Sequence, residues 1–142
     1  MSINLKQLPD GSAGLEGVDY GDGAFLKASA TWSATSASTV MFIAPRAMVI
    51  KSITARVETA GTDAGAVTAV INKAPSGTVL TAGTVLHTGT INLKGTAATN
   101  QPLVVSTVSS TVRLAAGDCF GIVFAGVLTA ASGAVTVAYT PA

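Results

Sequence analysis

A chain of 142 residues and 14.0 kDa is one domain's worth of sequence, enough to bury a core without disulfides or structural metals. Charged residues make up 11% of it, against about 25% in an average soluble protein, and the net charge is +1 with the eight basic residues scattered, which argues against a nucleic-acid partner. So neutral a surface protects poorly against self-association, and much of it is expected to be covered in the working state, in an oligomer or a larger shell.

Residues 1–38 differ from the rest. Pro9-Asp10-Gly11, Gly14, Gly17 and Tyr20-Gly21-Asp22-Gly23 are closely spaced breakers, followed by a run of small residues from Ala28 to Thr39. The apolar residues Leu5, Leu8, Leu15, Val18, Phe25, Leu26 and Trp32 fit no single period, so the segment reads as an extended N-terminal arm. It either anchors along another surface or wraps its own domain. Met1–Lys6 lacks the continuous apolar core of a signal peptide, so the chain is expected to stay in the cytosol that makes it.

From residue 39 to 142 the pattern is that of strands. Val40–Ile43 comes first, then a turn at Ala44-Pro45-Arg46 and the long run Met48–Glu58, where Val49, Ile53, Ala55 and Val57 are expected on one face. Lys51 breaks that face and predicts a bulge or an edge. Gly61–Gly65 makes a turn, Val67–Asn72 a strand, and Ala74-Pro75-Ser76-Gly77 ends it. Thr84–Leu93 reads as one strand and Leu103–Val108 as the next, opened by Gln101-Pro102. Val112–Leu114, Phe120–Phe124 and Val135–Tyr139 then alternate large apolar residues around the turn Leu114–Asp118 and the break at Ser132-Gly133. Thr78–Ala82 and Ala115-Ala116 have room for a helical turn, no more.

About eight short strands with turn signals and no strand–helix alternation give an all-β, antiparallel β-sandwich, of which the jelly roll is the expected form. An immunoglobulin-like sandwich shares the periodicity but lacks here its paired cysteines, since Cys119 stands alone. A mean hydropathy of +0.56 and an uncharged stretch from 119 to 142 raise the question of a membrane span. Thr129, Ser132, Gly133 and Thr136 interrupt that stretch, it alternates with period two, and no membrane partner is expected.

Chemistry is sparse. His87 is the single histidine and has no carboxylate near it in sequence, so a strand residue is the better reading than the centre of a triad. Cys119 lies in an apolar run and reads as an inert thiol. Asp19 and Asp22 are too few for a calcium loop and read, like Asp10 and Asp118, as turn residues. No nucleophile elbow, P-loop or zinc spacing occurs, so no enzyme, cofactor or metal is expected. Trp32, Tyr20 and Tyr139 could form a sugar-stacking platform, but with aromatics at 5% core or interface anchoring is the expected use.

Ala44-Pro45-Arg46 followed by a strand, Asn72–Thr78, and Val112–Asp118 with Phe120–Phe124 give residues 39–142 a resemblance to the jelly-roll decoration (cement) and related head proteins of tailed bacteriophages. The resemblance implies a non-enzymatic homotrimer on the capsid exterior, bridging major capsid protein subunits. On that reading the arm supplies the capsid-facing or subunit-bridging contact through Leu15, Phe25, Leu26 and Trp32. The alternative is a head-fibre or tail-associated module that binds host-surface carbohydrate. A secreted ligand of the tumour-necrosis-factor-like type, which shares the Leu-x-x-Gly-Asp pattern, would need the missing signal peptide.

Overall fold

The computed structural model describes residues 25–142. The strands are β1 (Leu26–Trp32), β2 (Thr39–Ile43), β3 (Met48–Thr59), β4 (Thr68–Ala74), β5 (Thr84–Val85), β6 (Ile91–Asn92), β7 (Thr99–Leu103), β8 (Arg113–Leu114), β9 (Cys119–Ala125) and β10 (Ser132–Pro141). A single helical turn, α1 (Ser109–Val112), precedes β8, and a 3-10 turn, Leu80–Ala82, precedes β5. No helix among the described residues is long and apolar enough to cross a membrane.

Pairing is antiparallel and nested. β1 pairs with β10, β2 with β9, β3 with both β7 and β8, and β4 with both β5 and β6. The chain is thus one long hairpin rolled over so that alternate rungs fall into two sheets, β1-β10-β3-β7/β8 and β2-β9-β4-β5/β6. This is the jelly roll, the form expected from sequence.

Alternation explains which residues fill the space between the sheets. Ile53, Val57, Val135 and Val137 face inward from one sheet and Ile71, Phe120 and Ile122 from the other, all fully buried, with Leu86, Ile91, Leu93 and Leu114 closing the gaps. Aromatic rings pin both ends. Phe42 lies 4.6 Å from Tyr139 and 5.3 Å from Phe120 at one end, while Trp32 meets Phe124 edge-on at 6.3 Å at the other.

Lys51 is where β3 changes phase. Ser52 pairs with Ala138 and Ile50 with Tyr139, so Lys51 is left over as a bulge and points to solvent. Met48 and Ile50 are buried before it and Ile53, Ala55 and Val57 after it. Val49, expected on the core face, is therefore half turned out, and the edge alternative fails because β3 runs between β10 and β7.

Four further boundaries differ from expectation. Leu26–Trp32, counted with the arm, forms the edge strand of a sheet, its inward residues being the small Ala28 and Ala30 and then Trp32. Thr84–Leu93 is not one strand: it breaks at His87–Gly89, where Gly89 has φ +70°, and the chain crosses to pair with residues 104–106. The strand expected at Leu103–Val108 lies earlier, at Thr99–Leu103, and carries Pro102 on an edge, where its missing N–H costs no ladder bond. The Ser132-Gly133 break lies within β10; the turn precedes it.

Candidate interaction surface

The residues with chemical potential have structural work. His87 is buried; its Nε2 accepts the Ile71 N–H at 3.0 Å and its Nδ1 lies 3.2 Å from the Thr88 carbonyl, an arrangement for the neutral ring with the proton on Nδ1. Burial pulls its pKa below the ordinary histidine value, the hydrogen bonds to the Thr88 and Gly89 carbonyls partly opposing. Asp118 closes the turn as expected, accepting the Ala115 N–H at 2.9 Å, with Gly117 at φ +90° supplying the left-handed step. Lys73 donates to the Ser110 and Arg113 carbonyls, both at 2.6 Å, and so ties α1 to β4; burial lowers its pKa, with Asp118 opposing. Among the described residues no three His, Cys, Asp or Glu side chains gather as metal ligands. Asp10, Asp19, Asp22 and Tyr20 lie outside the described residues.

The aromatic platform is not formed among the described residues. Trp32 is 3% exposed and Tyr139 is buried, so neither ring presents a face to a sugar. A hollow of about 240 Å³ does lie beside Trp32, between Arg56, Glu58 and Ser132–Ala134, yet the indole Nε1 is buried without a hydrogen-bond partner among the described residues.

What the surface offers instead is apolar area. A groove of about 320 Å³ runs along the outer face of the second sheet at the β2 edge, floored by Val40, Ile43, Ala74 and Cys119 and walled by the Pro75–Thr78 turn. Its origin is a bulge at Met41. Val40 pairs with Gly121 and Phe42 with Phe120, so Phe42 turns into the core while Val40 and then Ile43, 65% exposed, are left outside. Sequence alternation alone would put Val40 and Phe42 on one face, and for that reason it did not single out this groove.

Of the expected contact residues, Leu15 lies outside the described residues. Phe25 and Leu26, 37% and 46% exposed, stand at the start of β1, while Trp32 is part of the core at the far end of the same strand. Trp32 therefore holds β1 in place, and among the described residues Phe25 and Leu26 are the exposed members of the set.

Fold and surface together define a jelly-roll sandwich in which β1 and β2 each end a sheet on one side, with exposed apolar side chains beside them among the described residues. No family model matches the chain, and no curated protein matches it. Two solved structures share its fold. A chain of the capsid of Ralstonia phage GP4 superposes with a TM-score of 0.56 at 14% identity, over 88% of this chain and 89% of that one. A chain of the cyanophage Pam1 capsid asymmetric unit does so with a TM-score of 0.52 at 16% identity, over 89% and 90%.

Proposed function

We propose that this protein is a structural subunit of a phage capsid, bound as a trimeric decoration or cement protein on the outside of the head and bridging major capsid subunits. The observation that carries the reading is the two-sided coverage: the jelly roll matches nearly whole chains of two phage capsids, so those shells contain a chain of about this one's length folded in this way. A neutral exterior with exposed Val40, Ile43, Val79, Val104, Val108 and Val127 supports it, since such a surface is suited to being covered. Contact with the shell falls to the β1 edge through Phe25 and Leu26. Repeated around a trimer, modest contacts gain about 10²–10⁴ in avidity over a single one.

Light scattering followed by co-sedimentation with undecorated heads tests the reading. A trimer that pellets with the heads is the expected result. A protein that stays in the supernatant while giving a specific signal on a glycan array would replace the reading with the host-receptor module.

A further inference from the structure

Basic residues that are scattered along the chain are gathered by the fold. Lys27 lies opposite Ala138 of β10, and Ala138 lies opposite Ser52 of β3, beside the bulged Lys51. Arg113 lies opposite Val49, two residues before Lys51. With strands about 4.8 Å apart and a rise of about 3.3 Å per residue, roughly 10 Å separates Lys27 from Lys51 and roughly 8 Å separates Lys51 from Arg113, Cα to Cα. Ala28, Ile50 and Leu114 turn inward beside them, so the three cations share the outer face of the first sheet, at the end where β10 finishes. Arg46, in the turn before Met48, stands at the same end, and all four side chains are exposed.

The acids of residues 25–142 lie elsewhere. Glu58 is at the far end of β3, in a 3.0 Å ion pair with Arg56, and Asp63 is in the loop beyond it, where Lys94 donates to the Asp63 and Gly65 carbonyls. Asp118 accepts the Ala115 N–H, and its charge acts on Lys73. Across the first sheet, Glu58 is the one carboxylate on a strand among the described residues. Like charges near one screening length of about 8 Å repel one another, and a surface of opposite sign relieves that repulsion. Phe25 and Leu26, both exposed, immediately precede Lys27, so a partner meeting this end has to offer apolar contact and anionic groups together. A protein surface with carboxylates around an apolar patch does both, whereas a phosphate backbone offers charge alone.

We propose that this end of the first sheet, through Lys27, Lys51, Arg113 and Arg46, docks on an acidic protein surface, which in the particle belongs to the capsid subunit beneath it. The inference rests on the capsid reading and adds the chemistry of the partner, carboxylate side chains grouped around an apolar patch. Phe25 and Leu26 supply the apolar contact, and the cations steer the approach and fix its orientation. Arg113 Nε donates to Ser109 Oγ at 3.2 Å, which fixes the plane in which its guanidinium meets a carboxylate.

Co-sedimentation of the full chain with undecorated heads, from about 50 to about 500 mM NaCl, tests it. Wild type should bind at least about tenfold more weakly at the higher salt. Lys27→Glu/Lys51→Glu, at two exposed sites, should keep the wild-type Tm and bind at least about tenfold more weakly than wild type at low salt. Its affinity should then rise with salt, which screens the new repulsion, a reversal that a purely structural role of the two lysines would not produce. Lys27→Arg/Lys51→Arg should bind as wild type does. Equal uptake of wild type and the glutamate variant, with no response to salt, would overturn the inference and leave the capsid reading standing. No uptake of wild type at any salt would overturn both. Tighter binding to a short DNA duplex than to heads would assign the face to phosphates and overturn the inference as well.

Discussion

His87 and Ile71 are joined by a hydrogen bond in which a side chain takes the place of a backbone carbonyl. The Ile71 N–H donates to His87 Nε2 at 3.0 Å, while the Ile71 carbonyl accepts the Leu86 N–H at 2.9 Å, so the β4 ladder continues past β5 on the imidazole. Protonation of Nε2 ends that bond. Because burial depresses the folded-state pKa, the unfolded chain takes up a proton first as pH falls. Stability from this residue is complete above about 6.5, the ordinary histidine value, and is lost between there and the lower folded value. Thermal unfolding should show a falling Tm from pH 7 to 5 with a shallower slope in His87→Gln. His87→Ala should lose about 1–3 kcal/mol at pH 7 by orphaning the Ile71 N–H. An identical pH slope in wild type and His87→Gln would rule the coupling out.

Side-chain size decides which strands are legible in the amino-acid sequence. β9 and β10 were legible because Phe120, Ile122, Val135, Val137 and Tyr139 recur at every second position. β1 was not, since its inward residues before Trp32 are Ala28 and Ala30, too small to mark a face. β7 hid for the same reason behind Thr99, Asn100 and Gln101. Lys51 betrayed its bulge by being charged; the bulge at Met41 left no such mark, and with it went the exposed pair Val40 and Ile43.

Gly133 is fixed by its neighbours rather than by its turn potential. A Cβ there would fall 2.2 Å from the Arg56 carbonyl oxygen and 2.4 Å from Trp32 Cζ2, with φ in the range open to any residue. The nearer obstacle is backbone of the central strand β3, which cannot move aside without disturbing the core. Gly133→Ala should destabilise by about 1–3 kcal/mol in urea unfolding. A loss below about 0.5 kcal/mol would show that β10 and β3 can part to admit a methyl group.

Lys73 ties α1 and β8 to the second sheet through its bonds to the Ser110 and Arg113 carbonyls. Lys73→Met keeps the aliphatic stem and removes both donors. The expected loss is about 1 kcal/mol, discounted from the usual charged hydrogen bond because the group is largely solvated. Faster amide exchange confined to residues 108–114 should accompany it. Unchanged exchange there would mean that α1 is held by packing alone.

Leu26 tests the capsid reading at the surface where the structure leaves apolar area free. Nearly half exposed on an edge strand, it contributes little to the sandwich, so Leu26→Lys should change Tm by no more than about 0.5 kcal/mol of stability would. If β1 meets the shell, the same change buries an unpaired ammonium in an apolar contact, which weakens each contact and, through the linked sites of a trimer, the whole association more steeply. Occupancy on heads, read by co-sedimentation at matched protein concentration, should fall at least tenfold. Val127→Lys, exposed in the β9–β10 turn at the opposite end from Leu26, serves as the control and should leave occupancy unchanged. Full occupancy by Leu26→Lys together with loss by Val127→Lys would move the shell contact to the far end of the sandwich, where Trp32 and the Arg56–Glu58 pair lie.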